Sequence, residues 1–217
     1  MELELMIIYL FDLFGTFVFA VTGAVKGVRL KLDILGVVVF AATVGCGGGM
    51  FRDMLLGATP VAAFTNSAYI LISVGTGLAV FFLAPKFVGK WRVILFADSL
   101  GLGVFTAIGV AKGAMYGIGP VGQLLCGVFS AVGGGVVRDI MSRSVPTVLT
   151  TDFYATASLL GGILYLLLEL TSLGLFAKFM IVSGAVFIIR LIAIKYHFHL
   201  PVADTALPVD DYLNLQK

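Results

Sequence analysis

Seven apolar runs, each long enough to cross a bilayer as a helix, leave this chain little choice of solvent. They cover residues 5–24, 34–56, 67–84, 93–111, 121–141, 153–170 and 175–193. A helix needs about 20 residues to cross ~30 Å of hydrocarbon. In lipid every backbone N–H and C=O must be satisfied internally, so a spanning chain is a helix bundle or a closed barrel. These runs are continuous rather than alternating, which predicts an all-α integral membrane protein with seven transmembrane helices. Composition agrees: 60% of residues are hydrophobic and 12% charged, and mean hydropathy is +1.10. A net charge of +2 gives no reason to expect nucleic acid as a partner. The first run follows Glu2 and Glu4, where a signal peptide carries basic residues, so it is expected to remain as a span.

Positive residues fall mostly on one face of this layout. Lys26, Arg29 and Lys31 follow span one, and Lys86, Lys90 and Arg92 follow span three. Arg143 follows span five, and Arg190, Lys195 and Lys217 lie at or after the end of span seven. The opposite face offers Lys112 and Lys178. The positive-inside rule then places the N-terminus outside and the C-terminus in the cytoplasm of a multi-pass cell-membrane protein. Cys46 and Cys126 sit inside spans and read as small buried residues rather than a disulfide framework.

A shift of 86 residues lays 12–60 on 98–146 without a gap, from Asp12 on Asp98 to Pro60 on Pro146. Gly15 matches Gly101, Phe19 matches Phe105, Gly23 matches Gly109, and Lys26 matches Lys112. The strongest stretch is Gly47, Gly48, Gly49, Arg52 and Asp53, repeated as Gly133, Gly134, Gly135, Arg138 and Asp139. Generic hydrophobicity does not place Gly-Gly-Gly-x-x-Arg-Asp twice at one depth. Each unit holds three spans, an odd number, so the second unit enters the membrane upside down. The expected organisation is one transmembrane domain over 1–217, with repeat one at 5–84, repeat two at 91–170, a seventh helix at 174–196 and a cytoplasmic tail at 197–217.

Three glycines in mid-span cost ~1 kcal/mol each relative to alanine, which predicts a kink or break in spans two and five. A break frees carbonyls that can replace a cation's hydration shell; the competing reading is close helix packing by small residues. Gly23 with Gly27 and Gly109 with Gly113 read mainly as packing faces. Arg52, Asp53, Arg138, Asp139, Asp12 and Asp98 are charges inside spans and should face the bundle interior, a partner or water. Neighbouring helix positions point about 100° apart, so each Arg is expected to pair less with the next Asp than with Asp12, Asp98 or the other motif's Asp. A purely structural ion-pair network remains the alternative. Lys26 and Lys112 either snorkel to the interface or stand at opposite mouths of one pathway, paired or part of a gate. His197 and His199 are unaccompanied by further histidines and do not make a metal site. No phosphate loop, dinucleotide fingerprint or Ser/His/Asp set appears, so neither an enzyme nor a cofactor is expected.

The paired glycine and Arg-Asp stretches at 47–53 and 133–139, within a three-plus-three-plus-one layout, resemble those of the prokaryotic TRIC family. These are trimeric intracellular cation channels, whose bacterial relatives are also described as predicted glycine transporters. The resemblance covers nearly the whole chain. It implies a homotrimer in membrane lipid, with a pore in each protomer lined by kinked second and fifth helices and conducting potassium and sodium. It makes Gly47 to Gly49 and Gly133 to Gly135 the kink residues. The Lys-Glu-Val stretch by which animal members bind lipid is absent here, so phosphoinositide regulation is not carried over. Beside the channel stands a secondary transporter of a small zwitterion such as glycine.

Overall fold

Helices form where the apolar runs lie. A computed structural model describes residues 2–83, 91–150, 153–196 and 198, and every regular element among them is helical. The order is α1 (Glu2–Arg29), α2 (Ile34–Leu55), α3 (Ala62–Thr65), α4 (Ser67–Phe82), α5 (Trp91–Met115), α6 (Pro120–Met141), α7 (Thr147–Thr150), α8 (Tyr154–Glu169) and α9 (Leu175–Tyr196). Helices α1, α2, α5, α6 and α9 are long and apolar enough to span a membrane. The expected third and sixth spans appear as α4 and α8, apolar helices of 16 residues. At 1.5 Å per residue each reaches about 24 Å, short of a full hydrocarbon crossing. Lys86, Lys90, His197, His199, the side chain of Arg92 and the tail at 201–217 with Lys217 lie outside the described residues.

Local chemistry sets the helix ends. Glu2 and Glu4 open α1 while Lys26 and Arg29 close it, each charge matched to the helix dipole. The Asp33 carboxylate accepts from the Gly36 amide at 2.7 Å and caps α2, and Asn66 caps α4 by accepting from the Ala68 amide at 3.0 Å. Pro120 begins α6. The turns are duplicated too. Lys31 (φ 58°) and Gly117 (φ 70°) hold equivalent left-handed positions after α1 and α5, and Gly57 (φ 68°) and Arg143 (φ 53°) do so after α2 and α6. In each the two-bond closure recurs: Leu32 and Lys31 donate to Gly27 and Val28, and Ile118 and Gly117 donate to Gly113 and Ala114.

The two halves meet along matched helices that cross antiparallel. On α1 and α5, Gly15 faces Phe105 while Gly101 faces Phe19. On α2 and α6, Val44 faces Gly134, Gly48 faces Ser130, and the Phe51 and Phe129 rings meet edge to face at 5.8 Å. Equivalent residues exchange places, as an inverted duplication requires. The packing is also inside out for a protein in water: Phe64, Leu71 and Phe82 are exposed, whereas Asp12, Arg52, Asp98 and Arg138 are buried.

Of the kink or break expected at the glycine triplets, a break is not there. Helix assignment runs without interruption from Ile34 to Leu55 and from Pro120 to Met141. The glycines instead let α2 and α6 touch. A Cβ on Gly48 would strike the Ser130 carbonyl, and one on Gly134 would lie 2.8 Å from the Val44 carbonyl oxygen. Close backbone approach supplies the contacts that offset the poor helix propensity. The other pairs act alike: a Cβ on Gly23 would lie 2.6 Å from the Phe40 oxygen, and one on Gly109 2.7 Å from the Cys126 oxygen.

Candidate functional site

Each repeat gathers its intramembrane charges into one buried cluster. In the first, α2 carries Arg52 and Asp53 in its last turn, opposite Asp12 on α1. The Arg52 guanidinium donates from Nη1 to Asp12 Oδ1 at 3.1 Å and from Nη2 to Asp12 Oδ2 at 2.9 Å, a bidentate pair. It also donates from Nε to Asp53 Oδ1 at 2.9 Å. With a second bond from Nη2 to Asp53 Oδ1 at 2.8 Å, Arg52 makes as many bonds to its sequence neighbour as to Asp12, which corrects the expectation that it would pair less with Asp53. Their Cβ directions diverge, but Asp12 draws the long Arg side chain back across the helix end, where the Asp53 carboxylate sits. Asp53 Oδ2 accepts from the Ala62 amide at the start of α3, at 3.1 Å, and the Tyr69 hydroxyl of α4 donates to Asp12 Oδ2 at 3.3 Å.

The second cluster repeats this frame. Arg138 Nη1 donates to Asp98 Oδ1 at 2.5 Å and Nε to Asp139 Oδ1 at 2.9 Å. Asp139 Oδ2 accepts from the amide and the hydroxyl of Thr147 on α7, at 2.8 and 2.6 Å. Both arginines thus pair inside their own repeat, with no bond from either to the Asp of the other motif. The link between repeats comes from lysine. Lys112, on α5 of the second repeat, places Nζ 3.3 Å from Asp12 Oδ2 and 3.4 Å from Asp53 Oδ1 of the first. It points inward to ion pairs rather than out to the interface, since two buried carboxylates hold an ammonium better than one interfacial position does. Its counterpart Lys26, on α1 of the first repeat, lines the cavity of the second cluster.

The clusters differ in one respect that governs access. The space beside Asp12, Arg52, Asp53 and Tyr69 is about 10 Å³, room for about one water. The space beside Lys26, Asp98, Arg138 and Asp139 is about 310 Å³. Arg190 also lines it: its guanidinium is buried on α9 and stands 4.8 Å from the centroid of the Tyr154 ring. Helix α9 has no counterpart in the duplication, so Arg190 is where the two sites part chemically. As a charge within the seventh apolar run it was legible as an interior residue, although its place near the end of that run also fits a positive flank. Tyr69, Thr147 and Tyr154 carried no such signal.

The triplet glycines divide between these tasks. Gly48 and Gly134 sit at the α2/α6 crossing, whereas Gly49 and Gly135 face the clusters: a Cβ on Gly49 would lie 3.6 Å from Arg52 Nη2 and 3.8 Å from Asp12 Oδ1. Cys46 and Cys126 are buried free thiols, Cys46 Sγ standing 3.7 Å from Ser73 Oγ. Among the described residues no group of three or more His, Cys, Asp or Glu is placed to hold a metal ion.

A family model described as glycine transporter matches residues 9–85 and again 95–169, one match per repeat. A UPF0126 membrane protein of Vibrio cholerae is 38% identical over 203 residues, covering 92% of this chain and 84% of that protein. The UPF0126 inner membrane protein YadS of Escherichia coli K12 is 35% identical over 199 residues, 90% of this chain and 96% of that one. Among solved structures, the TRIC trimeric intracellular cation channel orthologue from Rhodobacter sphaeroides superposes with a TM-score of 0.84 at 33% identity, covering 88% of this chain and 98% of that one.

Proposed function

The chain belongs to the glycine-transporter (UPF0126) family that includes the prokaryotic TRIC channels, and from that membership we propose that it is a monovalent cation channel, conducting potassium and sodium. The observation that carries this reading is the pair of buried Asp-Arg clusters on either side of the glycine crossing, each approached by a lysine of the opposite repeat. Carboxylates inside a span are costly and face a partner or a wet path. Two such sites related by an inverted repeat form the ends of one pathway through each protomer, beside α2 and α6. Asp12 and Asp53 at one end, and Asp98 and Asp139 at the other, replace the hydration of a passing cation. Lys112 holds the first end shut by placing its own ammonium between Asp12 and Asp53. The protein assembles as a homotrimer in the cell membrane with seven spans, α4 and α8 included, the N-terminus outside and the C-terminus cytoplasmic.

Recording from purified protein in planar bilayers tests this. In a gradient of potassium chloride with no other cation, unitary currents that reverse at the potassium equilibrium potential are expected, and replacing potassium by sodium on one side should leave current flowing in both directions. Saturable glycine uptake into proteoliposomes without unitary current would refute it and support the second reading, secondary transport of glycine, which the family's description favours.

A further inference from the structure

Resting on the reading of the two clusters as ends of one pathway, we propose that the stacked rings of Phe19 and Phe105 form its central hydrophobic gate. The two residues are equivalents in the duplication, and both are fully buried. Their rings stack with centroids 5.4 Å apart at an interplanar angle of 26°. Each ring covers a glycine of the opposite repeat, Phe105 over Gly15 and Phe19 over Gly101. The stack lies between the clusters. A Cβ on Gly49 would meet Arg52 Nη2, Asp12 Oδ1 and Phe105 Cε1, all within 3.9 Å, so the Phe105 ring edge abuts the first charge cluster. Phe19 reaches Gly134, beside the Gly135 that faces Asp98 and Arg138.

Any route between the clusters has to cross this plane, and the plane is closed by two kinds of atoms. At the α2/α6 crossing they are backbone: Gly48 against Ser130 and Gly134 against Val44, with no room for a Cβ. Those contacts open only if whole helices separate. At the α1/α5 crossing they are the two phenyl rings, which can turn about their own side-chain bonds. Rings of this kind close a path by excluding water rather than by charge, and a hydrophobic constriction conducts when it becomes wet. The gate therefore depends on the polarity of the side chain at 19 or 105 more than on its size.

The test compares Phe19→Leu with Phe19→Asn, and Phe105→Leu with Phe105→Asn, because both replacements remove the ring while only Asn admits water. Thallium flux into proteoliposomes is expected to rise about tenfold in each Asn variant, equivalent to ~1.4 kcal/mol of barrier, and to stay near the parent value in each Leu variant. A ring with a packing role alone predicts that Leu and Asn variants change flux together, in step with their detergent unfolding temperatures, and that result overturns the proposal. A second readout does not need the native protein to conduct. Cys46 lines the closed first site, and silver ions applied to a Cys126→Ala protein from the Lys26 face have to pass the rings to reach it. Faster silver reaction in the Asn variants, with no thallium flux in any protein, would keep the gate and refute the cation-channel function. Unchanged silver reaction alongside parental thallium flux that the Asn variants leave unaltered would refute the gate alone.

Discussion

Alanine at successive positions of the first glycine triplet should change stability in opposite directions. Inside a continuous helix, glycine to alanine gains roughly 0.5–1 kcal/mol through backbone entropy. At Gly47 a new Cβ meets Val137 Cγ2 at 3.4 Å, Val137 Cβ at 3.7 Å and Gly134 Cα at 3.8 Å, all within ordinary van der Waals contact, so Gly47→Ala should keep most of that gain. At Gly48 the Cβ runs into the Ser130 carbonyl and lies 3.4 Å from the Gly134 amide nitrogen. No rotamer change moves backbone aside, so the cost belongs at the upper end of the ~1–3 kcal/mol seen for overpacking. Subtracting the helix gain leaves Gly48→Ala destabilised by about 2 kcal/mol. For a chain of this size, ~2–4 °C per kcal/mol makes that a fall of about 4–8 °C, against a small rise for Gly47→Ala. Thermal unfolding of detergent-solubilised protein, followed by intrinsic fluorescence, reads both. If the triplet served to break the helix, alanine at either position would restore helix and move both variants the same way. Shifts of one sign would refute the packing account.

Asp12→Asn leaves the buried Arg52 guanidinium short of a charged partner, so a loss of about 3–5 kcal/mol is expected in denaturant unfolding. Replacing both Asp12 and Arg52 by apolar residues should recover part of it. Lys31→Gly and Arg143→Gly relieve left-handed backbone that costs non-glycine residues ~1 kcal/mol each; both should raise the unfolding temperature, while Gly117→Ala and Gly57→Ala lower it. Lys112→Met removes the ammonium held between Asp12 and Asp53 and is expected to raise potassium conductance in bilayer recordings, whereas Lys112→Arg should stay closed. A Lys112→Met channel no more open than its parent would remove Lys112 from the gate.

What the sequence reveals, and what it hides, follows from how each feature is encoded. Helix positions and the duplication are written in runs and identical residues, so the frame from Asp12 to Pro146 and the burial of six intramembrane charges were legible. The third helix of each repeat was legible to within two residues, 67–84 against Ser67–Phe82 and 153–170 against Tyr154–Glu169; what the apolar runs did not show is the short helix before it, α3 or α7, whose opening amide supports Asp53 or Asp139. That the glycines leave both helices unbroken was not legible, for a tertiary reason: a triplet weakens an isolated helix, but two triplets facing each other across a crossing let both backbones approach, and neither half of the sequence displays the other's position. Partner choice was hidden similarly. Arg52 and Asp53 pair because Asp12 lies where it pulls the guanidinium back, a fact of α1/α2 placement.

The departure from symmetry is what gives the duplicated frame a direction. In the proposed pathway, two identical halves would leave both ends equally open, with no preferred resting arrangement. Instead one end is filled, its carboxylates taken by Lys112, and the other keeps about 310 Å³ of space. The helix without a counterpart lies on the open side: α9 packs Arg190 beside Tyr154 at the rim of Asp98 and Arg138, where the first repeat has Tyr69 donating to Asp12. An additional buried cation at one end biases a cation's energy there relative to the other, since interior charges act through a lower dielectric than water. In the proposed channel, an inverted repeat alone would make a pathway that treats its two faces alike, and α9 is the element that would distinguish them.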